Sequence, residues 1–267
     1  MKFYKKYLNY LIKDIRLNFN YKYAFVFQFI SPIFYLAIFY NISLFVSESN
    51  QMAPKDYFLY ASIGICLIDI LSIIVISQSK EIVNLKVSGV IEEIVFIDKN
   101  VTTTLIAMSS YSVFVSLVKV IFYFFMISII MGYSVIPFEN LFLSLITIFI
   151  LIISFVFLAL ICGAFSLYFS RVGFLPMMFI IVSVFFGKAY FPSNFLPYGL
   201  EHISIFFSFS YGIENIRALS NFEVDHTGII FNIATIIFLS LCYFITGWLS
   251  IKAVMIKVKR AGNLENF

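Results

Sequence analysis

Apolar residues in this chain gather into long runs, and the runs set its architecture. A helix needs about 20 mostly apolar residues to cross the hydrocarbon layer. Six segments are candidates: 23–46, 57–78, 104–133, 140–169, 174–187 with its broken continuation, and 228–252. The third and fourth exceed the minimum, which implies tilt or extension beyond the bilayer. The fifth is short and needs the segment after it to complete a crossing. The pattern predicts an all-α integral membrane protein with six transmembrane helices over residues 23–267.

Residues 1–22 follow a different rule. Tyr4, Tyr7, Leu8, Leu11, Ile15 and Phe19 recur at three- and four-residue steps, and Lys2, Lys5, Lys6, Lys13 and Arg16 fill much of the remainder. That is one apolar face with a basic back. It predicts an amphipathic helix lying in the inner interface, its cations near anionic headgroups. A plain basic anchor is the competing account, but orientation alone needs no such periodicity. The basic region is too long, and the following apolar run too complete, for a cleavable signal; the first span is expected to remain as an anchor.

The segment 187–217 breaks the apolar pattern most sharply. A run of apolar residues stops at Gly187 and gives way to Pro192, Pro197, His202, Glu214 and Arg217 before the last apolar run begins. Polar, proline-broken backbone at membrane depth is tolerated only where protein buries it or water reaches it. This is the pattern of a transport path, and it predicts a re-entrant external hairpin before the last helix.

Composition agrees with lipid as the solvent. The chain is 62% hydrophobic and 12% charged over 267 residues, against about 45–50% and about 25% for a soluble domain. The net charge of +4 does not point to nucleic acid, because the cations lie at the termini and in one loop, without a continuous basic face. Only Lys55, Lys188 and Arg217 fall on the side opposite to these clusters, with Lys119 inside a span. The positive-inside rule therefore puts both termini and the tail 253–267 in the cytoplasm. Cys66, Cys162 and Cys242 lie far apart in apolar runs with no metal-ligand spacing; no metal site is expected.

Two ionisable residues fall within spans, Asp69 and Lys119. Both lie about 18–21 Å from the outer ends of adjacent antiparallel spans. A lone charge at that depth costs about 2.5–3.5 kcal/mol, so a structural ion pair is expected. A role in substrate passage and separate satisfaction by polar neighbours are the alternatives. The loop 80–100 sets Ile82, Leu85, Val90, Ile91 and Ile94 among Glu81, Lys86, Glu92 and Glu93. A short helix there would offer apolar and acidic surface to a cytoplasmic partner. A solvated connector does not require so many residues of the buried type.

Several chemistries are missing. There is no phosphate loop, since the one Gly-Lys pair, Gly187–Lys188, lacks the earlier glycine, and His202 and His226 form no H-E-x-x-H arrangement. No G-x-S-x-G elbow occurs. No enzyme activity is expected of this chain.

The order of these parts resembles the type-2 ABC transporter permeases, the membrane subunits of exporters of drugs, lipids, polysaccharides and teichoic acids. The resemblance covers essentially the whole chain. In the loop, Glu81 resembles the first acid of the family's coupling segment, and Gly89, Val90, Ile91 and Glu92, followed by Glu93, resemble its Gly-Thr-Leu-Glu tetrad with Val90 for Thr. Later, Gly187, Phe191-Pro192, Leu196-Pro197, Tyr211, Glu214 and Arg217 match the family's Gly, Phe-Pro, Leu-Pro and Pro-x-x-Tyr-x-x-Glu-x-x-Arg pattern, with Ser208 in place of the last Pro. The resemblance implies a homodimer, or a pair with a related permease, in a bacterial or archaeal cell membrane. It implies two copies of a separate ABC ATP-binding subunit that carry the ATP and Mg, with no cofactor on this chain. The coupling loop 80–100 and the first helix would receive the ATPase motion, and 188–217 would form the external gate. Leu196, Pro197, Phe206 and Phe207 would supply a dry constriction, and Glu214 and Arg217 are spaced to pair with each other. The implied cargo is an amphipathic drug, peptide antibiotic, lipid or lipid-linked glycan. An ion-gradient-driven carrier or channel is the alternative, although such carriers usually show internal repeats and none is visible here. A structural membrane scaffold is the third.

Overall fold

The computed structural model describes residues 2–20, 22–49, 53–90, 101–169, 174–190, 200–220 and 225–261. Among them the chain is helical, with no strand. In chain order the helices are α1 (Lys2–Asn20), α2 (Lys22–Ser49), α3 (Pro54–Val87), α4 (Val101–Met108), α5 (Ser110–Met131), α6 (Leu141–Phe169), α7 (Phe174–Phe186), α8 (Ser208–Ser220) and α9 (His226–Ala261). Short 3-10 turns, Phe138–Asn140 and Leu200–Phe206, precede α6 and α8.

Among the described residues, five segments are long and apolar enough to cross a membrane: α2, α3, α4 with α5, α6, and α9. The remaining expected span, 174–187 with its broken continuation, is not among them. The run at 174–187 forms a helix of only 13 residues, about 20 Å of rise against about 30 Å of hydrocarbon. It ends because Gly187 and Lys188 form a turn, described below. The exposed surface carries large apolar side chains, Phe34, Phe125, Phe142, Phe231 and Phe238 among them. Such a surface suits lipid.

α3 is the hub. It packs against α2, α4, α5, α6, α7 and α8, and buries Phe58, Ile63, Leu67, Ile70, Leu71 and Ile74 completely or nearly so. α6 lies between α3 and α9 and adds Leu151, Ile152, Phe155 and Ala159 to the same core. A second apolar cluster at the basic end joins Ile82, Leu105, Leu160, Leu167 and Ile251.

Two expected boundaries move. The residues read as the start of the loop 80–100 continue α3 to Val87, because Ile82 and Val83 bury a face that prolongs the helix's apolar side. The helix stops at Ser88 and Gly89, the latter at φ 72, where glycine carries no side-chain penalty. The span 104–133 is divided at Ser109, whose hydroxyl bonds Ile106 O at 2.7 Å. Serine competes locally for backbone acceptors in this way and interrupts a helix.

α1 packs on α2, α4 and α5. Tyr7, Leu8, Leu11 and Ile15 are partly buried while Lys13 and Arg16 are exposed, in the order their periodicity predicts. Lys6 donates to the Thr104 hydroxyl at 3.3 Å. Asp14 is also buried, 3.7 Å from Lys13. Burial raises its carboxyl above the ordinary range, and Lys13 partly reverses the shift.

Candidate functional site

The most constrained feature among the described residues is the turn that ends α7. Gly187 is buried beneath Phe209, and a Cβ there would collide with the Ser183 carbonyl and the Phe209 ring. Lys188 adopts a left-handed φ of 58, which costs a non-glycine residue about 1–2 kcal/mol. Surrounding contacts hold it there. Lys188 Nζ is paired with Glu214 Oε1, and the Tyr60 hydroxyl donates to Lys188 O at 3.3 Å.

Arg217 closes the turn from the other side. Its Nη1 donates to Lys188 O at 2.9 Å, and its Nη2 donates to Ala189 O and Tyr60 O, each at 2.8 Å. The guanidinium lies 3.3 Å from the centroid of the Tyr60 ring, within cation–π range. The Arg217 guanidinium carries a planar fork of donors. Gly64, one helical turn after Tyr60, has no side chain to keep Ala189 O off the α3 backbone. Three distant stretches (α3, the turn and α8) meet at one guanidinium.

The expected Glu214–Arg217 pair is therefore corrected. Glu214 reaches Lys188, and Arg217 donates from Nη1 and Nη2 to carbonyls, while its buried Nε has no partner among the described residues. The turn presents the Lys188 and Ala189 carbonyls close together, and a planar guanidinium reaches both at once. Tyr211 is partly buried on the same helix.

Ser208, where the resemblance has proline, anchors the start of α8. It accepts from Ser154 Oγ at 2.8 Å, and its backbone N–H donates to the Tyr243 hydroxyl at 3.4 Å. Tyr243 in turn donates to Phe206 O. Proline has no N–H to give, so this anchor replaces ring stiffness with hydrogen bonds to α6 and α9. Of the expected constriction, Phe206 is exposed and Phe207 partly buried. Phe191, Pro192, Leu196 and Pro197 lie outside the described residues.

Halfway along α3, Asp69 and Lys119 meet. Lys119 Nζ donates to Asp69 Oδ2 at 2.8 Å, and the Tyr123 hydroxyl donates to the same oxygen at 3.3 Å. The Lys119 side chain is 3% exposed and that of Asp69 16%, so the cation is buried and the carboxylate partly so. At the basic end, Glu81 is partly buried, Gly89 and Val90 are exposed, and Lys86 donates to Leu167 O at 3.1 Å. Ile91, Ile94, Glu92 and Glu93 lie outside the described residues.

An apolar cleft of about 360 Å³ separates α2 from α5, lined by Leu36, Ala37, Tyr40, Asn41, Met126 and neighbours. Its size falls in the ligand range of about 300–1,000 Å³. Asn41 is already bonded to Ala37 O, so the cleft has little polar chemistry for selection. Among the described residues no group of three or more His, Cys, Asp or Glu could hold a metal.

Sequence reading missed Tyr60, Gly64 and Tyr123. Tyr60 and Gly64 were legible as a polar-tipped ring and a gap four residues apart on one helix face, but the same pattern serves ordinary packing. No family model matches the chain, and no characterised protein compared with it does.

Proposed function

We propose that this chain is the membrane-spanning permease subunit of an ATP-driven ABC exporter of the type-2 kind. It works as a homodimer, or with a related permease, in the cell membrane of a bacterium or archaeon with both termini cytoplasmic. Two copies of a separate ATP-binding subunit supply ATP hydrolysis. The cargo is an amphipathic drug, peptide antibiotic, lipid or lipid-linked glycan. The short α7 with the segment 187–217 makes the sixth crossing, as a re-entrant hairpin that gates the outer side.

One observation carries this reading: a short apolar helix that stops at a buried, charged turn held by Glu214 and Arg217. Membrane proteins place irregular backbone at depth where it lines a path or is buried by protein, and the clamp supplies that burial. The amphipathic α1 and the acidic segment 81–93 provide the surface for the ATPase. Nucleotide chemistry on a partner accounts for the missing phosphate loop.

Purification of the tagged chain from its own membranes tests the reading. A Walker-motif ATPase should co-purify in near-equal amount. A gradient-driven carrier or channel is the alternative; it would move cargo on an imposed ion gradient with no ATPase present. Asp69 does not favour that alternative, because its charge is met by Lys119 and Tyr123.

A further inference from the structure

We propose that α3 is a rod that sets the position of the turn at 187–190, with Tyr60 and Gly64 as the positioning residues at its far joint. The purpose of such a rod rests on the exporter reading above; its mechanical content belongs to this chain alone.

The helix is unbroken from Pro54 to Val87, so it holds its ends about 50 Å apart. Directional polar ties are spread along it. Lys86 donates to Leu167 O at the basic end, and Gln78 donates to Leu105 O at 3.3 Å. Asp69 takes Lys119 and Tyr123 midway, and Tyr60 takes Arg217 at the far end. Rigid elements and hydrogen-bond networks of this kind carry coupling between distant sites.

At the far end, the turn is tied to α3 more than to its own helix. The tie back to α7 is a single backbone bond, Gly187 N–H to Ser183 O at 2.8 Å. Toward α3, the Tyr60 hydroxyl donates to Lys188 O, and Tyr60 O shares the Arg217 guanidinium with Lys188 O and Ala189 O. Gly64 lets Ala189 O seat directly against the α3 backbone. Tyr60 and Gly64 sit four residues apart, hence on one face. The turn therefore follows α3, whose other end leads into the acidic segment at 89–93.

Hydrogen exchange on the full chain in nanodiscs, with no ATP-binding partner, tests the rod. Lys86→Ala lies about 39 Å along the helix from Tyr60. It should speed exchange at 187–190 by about twofold or more, the low end of coupling through such networks. Arg217→Lys, which keeps the charge and loses the fork, should speed the same amides and abolish most of the further effect of Lys86→Ala. Unchanged exchange at 187–190 in Lys86→Ala overturns the rod, and so do fully multiplicative effects in the double variant. A failed rod leaves the exporter reading intact, since that reading is decided by co-purification.

Discussion

Arg217 lies over the ring of Tyr60, its guanidinium 3.3 Å from the centroid, although the two residues are 157 positions apart in the chain. The same side chain satisfies three backbone carbonyls from two segments. A single lysine cannot reproduce that geometry, because its ammonium is a point donor and not a planar fork.

Arg217→Lys should thus destabilise the protein by about 2–3 kcal/mol, through buried carbonyls left unsatisfied. Tyr60→Phe keeps the ring, loses the hydroxyl that bonds Lys188 O, and should cost less than about 1 kcal/mol. Thermal unfolding of both variants in one detergent checks the order. An Arg217→Lys variant as stable as Tyr60→Phe would contradict the clamp.

Two glycines that both sit tight against a neighbour should respond differently to alanine. At Gly163 the obstacle is the tip of the Ile82 side chain, which can rotate away; at Gly64 it is the Ala189 backbone, which cannot. Gly64→Ala should cost about 1–3 kcal/mol by overpacking, and Gly163→Ala close to nothing. Equal melting shifts for the two would show that the turn is not seated on α3.

The Asp69–Lys119 pair gives a reciprocal test. Lys119→Ala leaves a carboxylate unpaired among apolar helices, and breaking a buried pair costs about 3–5 kcal/mol. Asp69→Lys with Lys119→Asp should recover much of the folded yield that either single change loses. A swapped protein that folds no better than the singles would mean the residues are satisfied independently.

Lys188 combines backbone strain with a useful charge. Lys188→Ala loses the Glu214 pair and keeps the left-handed φ; Lys188→Gly loses the pair and relieves the strain. The glycine variant should be the more stable of the two by about 1 kcal/mol. The reverse order in a melting comparison would argue against a strained turn.

Much of this fold was readable from pattern, and the reasons it was not fully readable are specific. The face of Tyr7, Leu8, Leu11 and Ile15 and the long apolar runs are local signals, and α1 and the five long helices carry them. The extension of α3 past residue 80 was hidden by Lys80, Glu81, Asn84 and Lys86, whose polarity looks like a loop while Ile82 and Val83 keep the helical face buried. Ser109 gave no warning, because a serine inside an apolar run is usually harmless. The site was read least well where partners are remote. Spacing pointed Glu214 at Arg217, but Lys188 arrives from 26 positions away, and no local rule sees a turn that tertiary packing delivers. The depth argument for Asp69 and Lys119 succeeded in bringing two positions together because both helices cross the same layer.

The central claim is that an ATPase works on this chain through its acidic segment. ATP hydrolysis by the complex captured on the tagged chain, compared between the native protein and the Glu92→Ala, Glu93→Ala double variant, tests it most directly. The account predicts that the native chain retains a Walker-motif ATPase with measurable turnover, and that the double variant inserts normally but loses most of the bound ATPase or its stimulation. Capture of no such ATPase by the native chain, or an unaltered complex with normal transport in the double variant, would contradict it.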